Sequence, residues 1–375
     1  MKIVFVSNFF NHHQAFVSDR LYKLVQGDFR FIAMTEVPQE RKELGYSEEV
    51  SDYVIRYDSS SECMLYIRSL IDSADIVIIG SADESLLRNR KRMKKPIFRY
   101  SERPLKNGSQ LWKYPIRWIR WHLNNPANVP IYMLCASAYT ATDYHSYGLF
   151  RNKTLRWGYF PECRRYLNVQ NMLLEKKTNE LLWCGRFLDW KHPDMALALA
   201  KRLKEAGYHF KLNMVGMGEM HEELEALVQK WQLSDVVYFL GSKSPKEVRE
   251  YMERCGIYLF TSDRKEGWGA VLNEAMNSGC AVIASKEAGS TPYLVDDGVS
   301  GYVYDPDDLD CIYERTKYLL DHPMEQMRIG LNAYEKIIHV WNPENAAERL
   351  MVIFDRILRE EEILSCYGSG PCSVT

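Results

Sequence analysis

The chain has 375 residues, more than one hydrophobic core comfortably holds, so two domains are expected. Hydrophobic residues make up 46% and charged residues 26%, an ordinary globular balance, and no apolar run approaches the ~20 residues of a membrane-spanning helix. The net charge is −2, and nine scattered cysteines, without a Cys-x-x-Cys pair or the paired His spacing of a metal site, argue for reduced thiols and against a zinc site, and no nucleic-acid partner is expected.

The first residues, Met1-Lys-Ile-Val-Phe-Val-Ser7, are too short an apolar run for a signal peptide and predict a buried first strand in a cytoplasmic protein. A loop with Asn11, His12, His13 and Gln14 follows, and then a helical period through Phe16, Arg20, Leu21 and Leu24. In a doubly wound sheet this loop lies at the carboxyl edge, where ligands bind. Further strands are predicted at residues 29–34, 53–57, 74–80 and 96–100, the last running into Ser101-Glu102-Arg103-Pro104. Residues 131–136 read as the last strand of this domain.

Charge is unevenly placed. Residues 1–165 carry 25 Lys and Arg against 17 Asp and Glu, leaving 23 against 33 for the remainder. Between Arg88 and Arg120 twelve basic residues meet one acid, Glu102, so this segment either faces something anionic or is simply well solvated. Within it, Ile116, Ile119 and Leu123 fall on one helical face, with Arg117, Trp118, Arg120 and Trp121 around it. Aromatic and basic residues together suit an anionic membrane surface, and packing on the protein's own domain is the alternative.

After a polar stretch the strand-helix rhythm restarts. A strand at 180–185 leads into Arg186-Phe-Leu-Asp-Trp-Lys191 and a helix from Pro193. An arginine fork and a lysine point charge at a strand's carboxyl end can neutralise a diphosphate. The strand at 210–215 precedes Gly216-Met-Gly218, but His221 stands where a dinucleotide fingerprint needs glycine, which argues against an NAD site. A strand at 236–240 runs into a loop with Gly241 and Ser242. Ser244 and Glu247 then form a predicted capping box, with Pro245 at the first helical position.

A strand at 256–261 delivers the chain into Glu266-Gly-Trp-Gly-Ala-Val-Leu-Asn-Glu274, with Gly279 as a left-handed cap before a strand at 280–284. Gly267 and Gly269 let the backbone approach a ligand, and a helix starting near Gly269 presents unpaired N–H groups to an anion. Glu266 precedes those groups, and Glu274 lies roughly 7 Å further along the helix at about 1.5 Å per residue. Acids flanking an anion site are useful if they accept hydrogen bonds from hydroxyls, so the layout suits a sugar at one end and a ribose at the other.

The Glu-x7-Glu spacing, its glycines and the downstream Glu287-Ala-Gly-Ser-Thr-Pro292 resemble the retaining glycosyltransferases of family 4. The resemblance implies an α/β protein of the GT-B fold, two Rossmann-like domains with parallel sheets facing across a cleft. It implies that Glu274 binds the ribose, that Glu266, Gly267 and Trp268 meet the donor sugar, and that the amides of Gly269, Ala270 and Val271 join Arg186 and Lys191 on the diphosphate. Leu240, Gly241 and Ser242 would frame the nucleobase. On the acceptor side the candidates are His12, His13, Gln14, Glu102 and Arg103, although the glycines usual in the first loop are missing here.

The expected activity is metal-independent transfer of a sugar from a UDP- or GDP-sugar to a glycan or lipid-linked saccharide, with Glu266, Arg186 and Lys191 at the reacting centre and no cofactor. An epimerase of the same fold and a nucleotide-binding protein without transferase activity are the alternatives. The expected layout is an acceptor-side domain at 1–165, a linker at 166–178, a donor domain at 179–340, a helix at 343–365 returning to the first domain, and a disordered tail at 366–375.

Overall fold

Short runs rich in Val, Ile and Phe, separated by helices, can bury both faces only as parallel strands covered by helices on either side. The computed structural model describes residues 1–38 and 51–375, and these form two units, 1–161 with 342–375 and 162–341. The strands of the first unit are β1 (Ile3–Ser7), β2 (Phe29–Ala33), β3 (Val54–Arg56), β4 (Ile76–Ile79), β5 (Ile97–Ser101), β6 (Ile131–Cys135) and β7 (Thr154–Arg156). They pair in parallel in the order β3-β2-β1-β4-β5-β6-β7. The second unit contains β8 (Lys177–Cys184), β9 (Lys211–Val215), β10 (Val237–Phe239), β11 (Cys255–Phe260), β12 (Ala281–Ser285) and β13 (Tyr302–Tyr304). Its parallel order is β10-β9-β8-β11-β12-β13.

The helices of the first unit are α1 (His12–Leu24), α2 (Ser61–Ser73), α3 (Arg88–Arg92), α4 (Tyr114–Asn124) and α5 (Thr140–His145). Those of the second are α6 (Val169–Leu174), α7 (Pro193–Glu205), α8 (His221–Lys230), α9 (Pro245–Arg254), α10 (Ala270–Asn277), α11 (Thr291–Leu294), α12 (Leu309–Asp321) and α13 (Pro323–His339). The capping box of Ser244 and Glu247 is formed at the start of α9. The final helix, Pro343–Leu358, belongs to the first unit, where Phe354 packs edge-on against Phe98 with ring centroids 4.8 Å apart and Glu348 pairs with Arg20 of α1.

Both sheets reverse their strand order at an internal pair, β1 with β4 and β8 with β11. At such a switch point the loops leaving the two strands diverge to opposite faces, and a crevice opens at their carboxyl ends. In the second unit the loops involved are 185–191 and 261–269. The expected ligand-binding residues therefore sit where the topology leaves room.

Three expectations need correction. Residues 131–136 are not the last strand of the first sheet, because β7 pairs beyond β6 from Met133–Thr154 to Cys135–Arg156. The helix expected to run to residue 365 ends at Leu358. The tail is ordered: Val374 bridges Leu155 in antiparallel fashion, Arg156 N–H donates to Ser373 O at 2.7 Å and Cys372 N–H to Arg156 O at 2.8 Å. A short polar tail carries no periodicity, yet the open edge of β7 satisfies its backbone groups. Deleting residues 369–375 is expected to cost ~1–3 kcal/mol, as a sheet edge and the buried Cys372 site lose their partners. An unchanged melting temperature would refute this.

The basic run between Arg88 and Arg120 is also redistributed. Arg90 is fully buried and donates to the carbonyls of Ile71, Ala74, Asp75 and Pro96 at 2.7–3.0 Å. Arg99 and Lys91 pair with Glu84, Arg103 with Asp143, Lys106 with Glu102, and Lys95 bonds Asp72 O. Half of the twelve charges thus hold the fold together.

Candidate functional site

Glu266 is fixed from three directions. Its backbone N–H donates to Asp263 O at 3.0 Å, and its carboxylate Oε2 accepts from Lys191 Nζ at 2.5 Å and from Ser262 Oγ at 3.1 Å. Only 13% and 12% of the Lys191 and Glu266 side chains are exposed, so the pair is largely screened from water. Lys191 arrives there because the loop after β8 is tied down: Thr261 Oγ1 donates to Lys191 O at 2.6 Å, and Trp183 Nε1 donates to that same hydroxyl at 2.8 Å. The ion pair bridges the two loops of the β8/β11 switch point.

Gly269 opens α10 with φ +86°, and a Cβ there would lie 2.3 Å from Phe260 Cζ, so glycine is required twice over. The amides of Gly269, Ala270 and Val271 make no hydrogen bond among the described residues, which leaves N–H groups at the positive end of the helix. Arg186 is exposed and its side chain has no partner among the described residues, so its guanidinium can turn toward an anion.

Glu274 is largely enclosed, and burial raises its carboxyl above the ordinary carboxylate value of 4.5, with the charges of Arg249 and Arg164 pulling it back. The thiol of Cys184, at the end of β8, is pushed up to about 12, first by burial and then by the Glu274 carboxylate, and is drawn down by Lys191. One thiol thus feels the charge of both groups. The Tyr258 hydroxyl, which donates to Cys184 O at 3.2 Å, is pushed far up by burial and then by its neighbours, Glu274 and Glu266 among them.

Trp268 departs from expectation. Its side chain is fully buried against Tyr293 and Trp341, at centroid distances of 6.2 and 5.9 Å, and Nε1 donates to Asn273 Oδ1 at 2.8 Å. Only its backbone can face a sugar, because the indole serves the core beneath the loop.

Arg249 is the residue that sequence reading missed. It is buried on α9, Nη2 donates to Asn277 Oδ1 at 2.7 Å, and among the described residues its Nε and Nη1 meet no hydrogen-bond partner of good geometry. Its charge acts on Glu274, yet nothing in the local pattern of α9 distinguishes it from a solvated helix arginine. Gly216 and Gly218 have a structural explanation: added Cβ atoms would lie 1.9 Å from Gly185 O and 2.5 Å from Phe187 O. They let the loop after β9 close on the loop after β8. Gly216 N–H donates to Gly241 O at 2.9 Å, which brings the loop of Leu240, Gly241 and Ser242 alongside.

In the first unit His13, Gln14, Glu102 and Arg103 line one cavity of about 410 Å³, together with Ser7, Asn8, Lys106 and Tyr159; His12 is not in its lining. The histidines lie in the first turn of α1, not in the expected loop, since Asn11 Oδ1 accepts from His13 N–H at 2.9 Å and starts the helix early. Tyr159 stacks on His13 at 5.6 Å and donates to Glu102 Oε1 at 2.6 Å. The Gln14 Oε1 atom is buried without a partner among the described residues, while Arg103 is committed to Asp143 at 3.2 Å. Among the described residues no group of three or more His, Cys, Asp or Glu could hold a metal ion.

Residues 167–336, which hold the Lys191–Glu266 pair and the start of α10, match the family described as Glycosyl transferases group 1. The chain is similar to the putative colanic acid biosynthesis glycosyltransferase WcaL of Escherichia coli, 26% identical over 171 residues, covering 44% of this chain and 42% of that protein. It is also similar to the amylovoran biosynthesis glycosyltransferase AmsK of Erwinia amylovora, 25% identical over 182 residues, covering 47% and 44%. The chain therefore spans less than half the length of these curated relatives. Among solved structures, Anabaena Alr3699/HepE in complex with UDP superposes with a TM-score of 0.71 at 14% identity, covering 95% of this chain and 100% of that one. The fold is GT-B.

Proposed function

We propose that this chain is a retaining glycosyltransferase that moves a sugar from a nucleoside diphosphate sugar to a saccharide acceptor in polysaccharide synthesis. The observation that carries the reading is the grouping at one switch point of Lys191, Glu266, Glu274 and the unbonded amides of Gly269, Ala270 and Val271. Cationic and N–H groups there can receive a diphosphate, and a carboxylate on each side can receive hydroxyls. Each has a role: Glu274 binds the ribose, Arg186 and Lys191 with the amides hold the diphosphate, and Glu266 with the Gly267 and Trp268 backbone meets the sugar. The backbone of Leu240, Gly241 and Ser242 borders the nucleobase.

As the donor bond breaks, negative charge grows on the departing diphosphate. Preorganised donors aimed at that charge stabilise the transition state more than the ground state. With Lys191, Arg186 and a helix start supplying that field, the reaction needs no divalent ion. The WcaL and AmsK names support a polysaccharide pathway, and the solved UDP complex of Alr3699/HepE makes UDP the first nucleotide to test. The cavity around His13, Gln14 and Glu102 supplies hydrogen-bonding groups for an acceptor's hydroxyls.

The test is to incubate the protein with UDP- and GDP-sugars, with and without candidate saccharides, and to measure released nucleotide. Release that depends on an acceptor is expected. Conversion of the donor into an epimer, or tight nucleotide binding with no turnover, would replace the reading. The same assay in EDTA should proceed at the uninhibited rate, and complete loss reversed by Mg2+ would refute metal independence.

A further inference from the structure

We propose that α4 is a docking face for an anionic lipid bilayer, a surface independent of the donor-site assignment. The helix contains no buried residue. Trp112, just before it, and Ile116, Ile119 and Leu123 are 74%, 68%, 53% and 74% exposed. Within the helix, steps of three and four residues at about 100° each keep Ile116, Ile119 and Leu123 on a single stripe, with Trp112 exposed in the 3-10 turn that leads into it.

The opposite side of the helix anchors it. Trp121 packs against Tyr144 and Tyr147 with ring centroids at 4.8 and 4.6 Å, Tyr114 stacks on Tyr147 at 4.5 Å, and Arg117 Nη1 donates to the Tyr147 hydroxyl at 3.2 Å. The apolar stripe is therefore held outward by packed aromatic rings behind it. A helix hydrophobic on its solvent side needs a partner that removes that surface from water.

Charge selects the partner. Lys113, half-buried just before the helix with its ammonium 4.7 Å over the Trp112 ring, and the exposed Arg120 lie beside the stripe, and Arg120 has no ion pair among the described residues. From Arg103 to Thr142 the chain contains no Asp or Glu, so nothing acidic borders the helix in sequence. A second copy laid on the same stripe would bring the two sets of cations together, whereas anionic headgroups would neutralise them while the acyl region takes up Ile116, Ile119 and Leu123. Trp112 has the amphipathic ring suited to the headgroup boundary. Among the described residues no helix is long and apolar enough to cross a membrane, so α4 would lie in the interface plane.

Flotation of the full chain with vesicles of phosphatidylcholine plus phosphatidylglycerol, against phosphatidylcholine alone, tests the proposal. Binding should require the anionic lipid and weaken as salt rises. Lys113→Gln and Arg120→Gln should each reduce partitioning about fivefold. Ile116→Glu with Leu123→Glu should abolish binding, and an unchanged circular dichroism melt would show that the fold survives. The proposal is overturned if wild type stays unbound at low salt, or if the double glutamate variant binds as wild type does. It is equally overturned if sedimentation velocity reveals a dimer that the double glutamate variant dissociates while vesicle binding is absent, which would make a second copy the occupant.

Discussion

Replacing Lys191 by alanine is expected to lower turnover by about 10²–10³-fold, the cost typical of removing one preorganised stabiliser of a transition-state charge. The lysine is held in place by its carbonyl contact with Thr261 and by the screened pair with Glu266 at 2.5 Å. Loss of the ammonium also leaves the Glu266 carboxylate, with 12% of its side chain exposed, without its cation, so the melting temperature should fall. The two effects separate in a Lys191→Met, Glu266→Gln double variant. It should recover stability, because neither remaining group is an uncompensated charge, but not turnover. Normal turnover in Lys191→Ala would remove the lysine from the site. Arg186, exposed and unpaired among the described residues, should cost turnover without the stability penalty.

Glu274→Gln should weaken binding of UDP, or of whichever nucleoside diphosphate the enzyme takes, by ~1–3 kcal/mol, about 5- to 150-fold, since ribose hydroxyls lose a charged acceptor. It should also raise the melting temperature at neutral pH. Burial lifts the folded-state pKa of this carboxyl above the ordinary 4.5, so the folded chain holds the proton more tightly than the unfolded chain. Above the raised value the buried charge costs stability in full. That cost is relieved as pH falls from the raised value toward 4.5. Nucleotide affinity should run the other way and decline through the same window, because a protonated carboxyl loses acceptor capacity. Titration calorimetry across pH, with Glu274→Gln as the pH-insensitive reference, checks both. A variant that binds nucleotide as tightly as wild type would take Glu274 out of the ribose site.

A residual contribution should come from Arg249, whose charge draws the Glu274 carboxyl back toward its ionised form. This arginine shows how far local pattern reaches. The sequence around it identifies a helix, its capping box and its proline start, all of which depend on neighbours within four residues. The burial of Arg249 depends on Asn277, in a different helix.

What short-range pattern encodes could be read directly from the chain. Parallel strands buried on both faces read as apolar runs, positive φ demands glycine at Gly269 and Gly279, and the restart of the strand-helix rhythm near residue 180 marks the second unit. The Glu266-to-Glu274 spacing was legible because loop and helix are contiguous. Tertiary structure decided what pairs across distance. Strand order is not written in periodicity, so only the adjacency of β8 and β11 shows that Lys191 and Glu266, 75 residues apart, form one ion pair. Composition counted twelve cations between Arg88 and Arg120 but could not tell Arg90, consumed by four backbone carbonyls, from Arg120, left on the surface. The same limit applies to aromatic residues. Trp268 and Trp112 are alike in chemistry, and whether an indole fills a core or faces outward depends on which other segments arrive beside it.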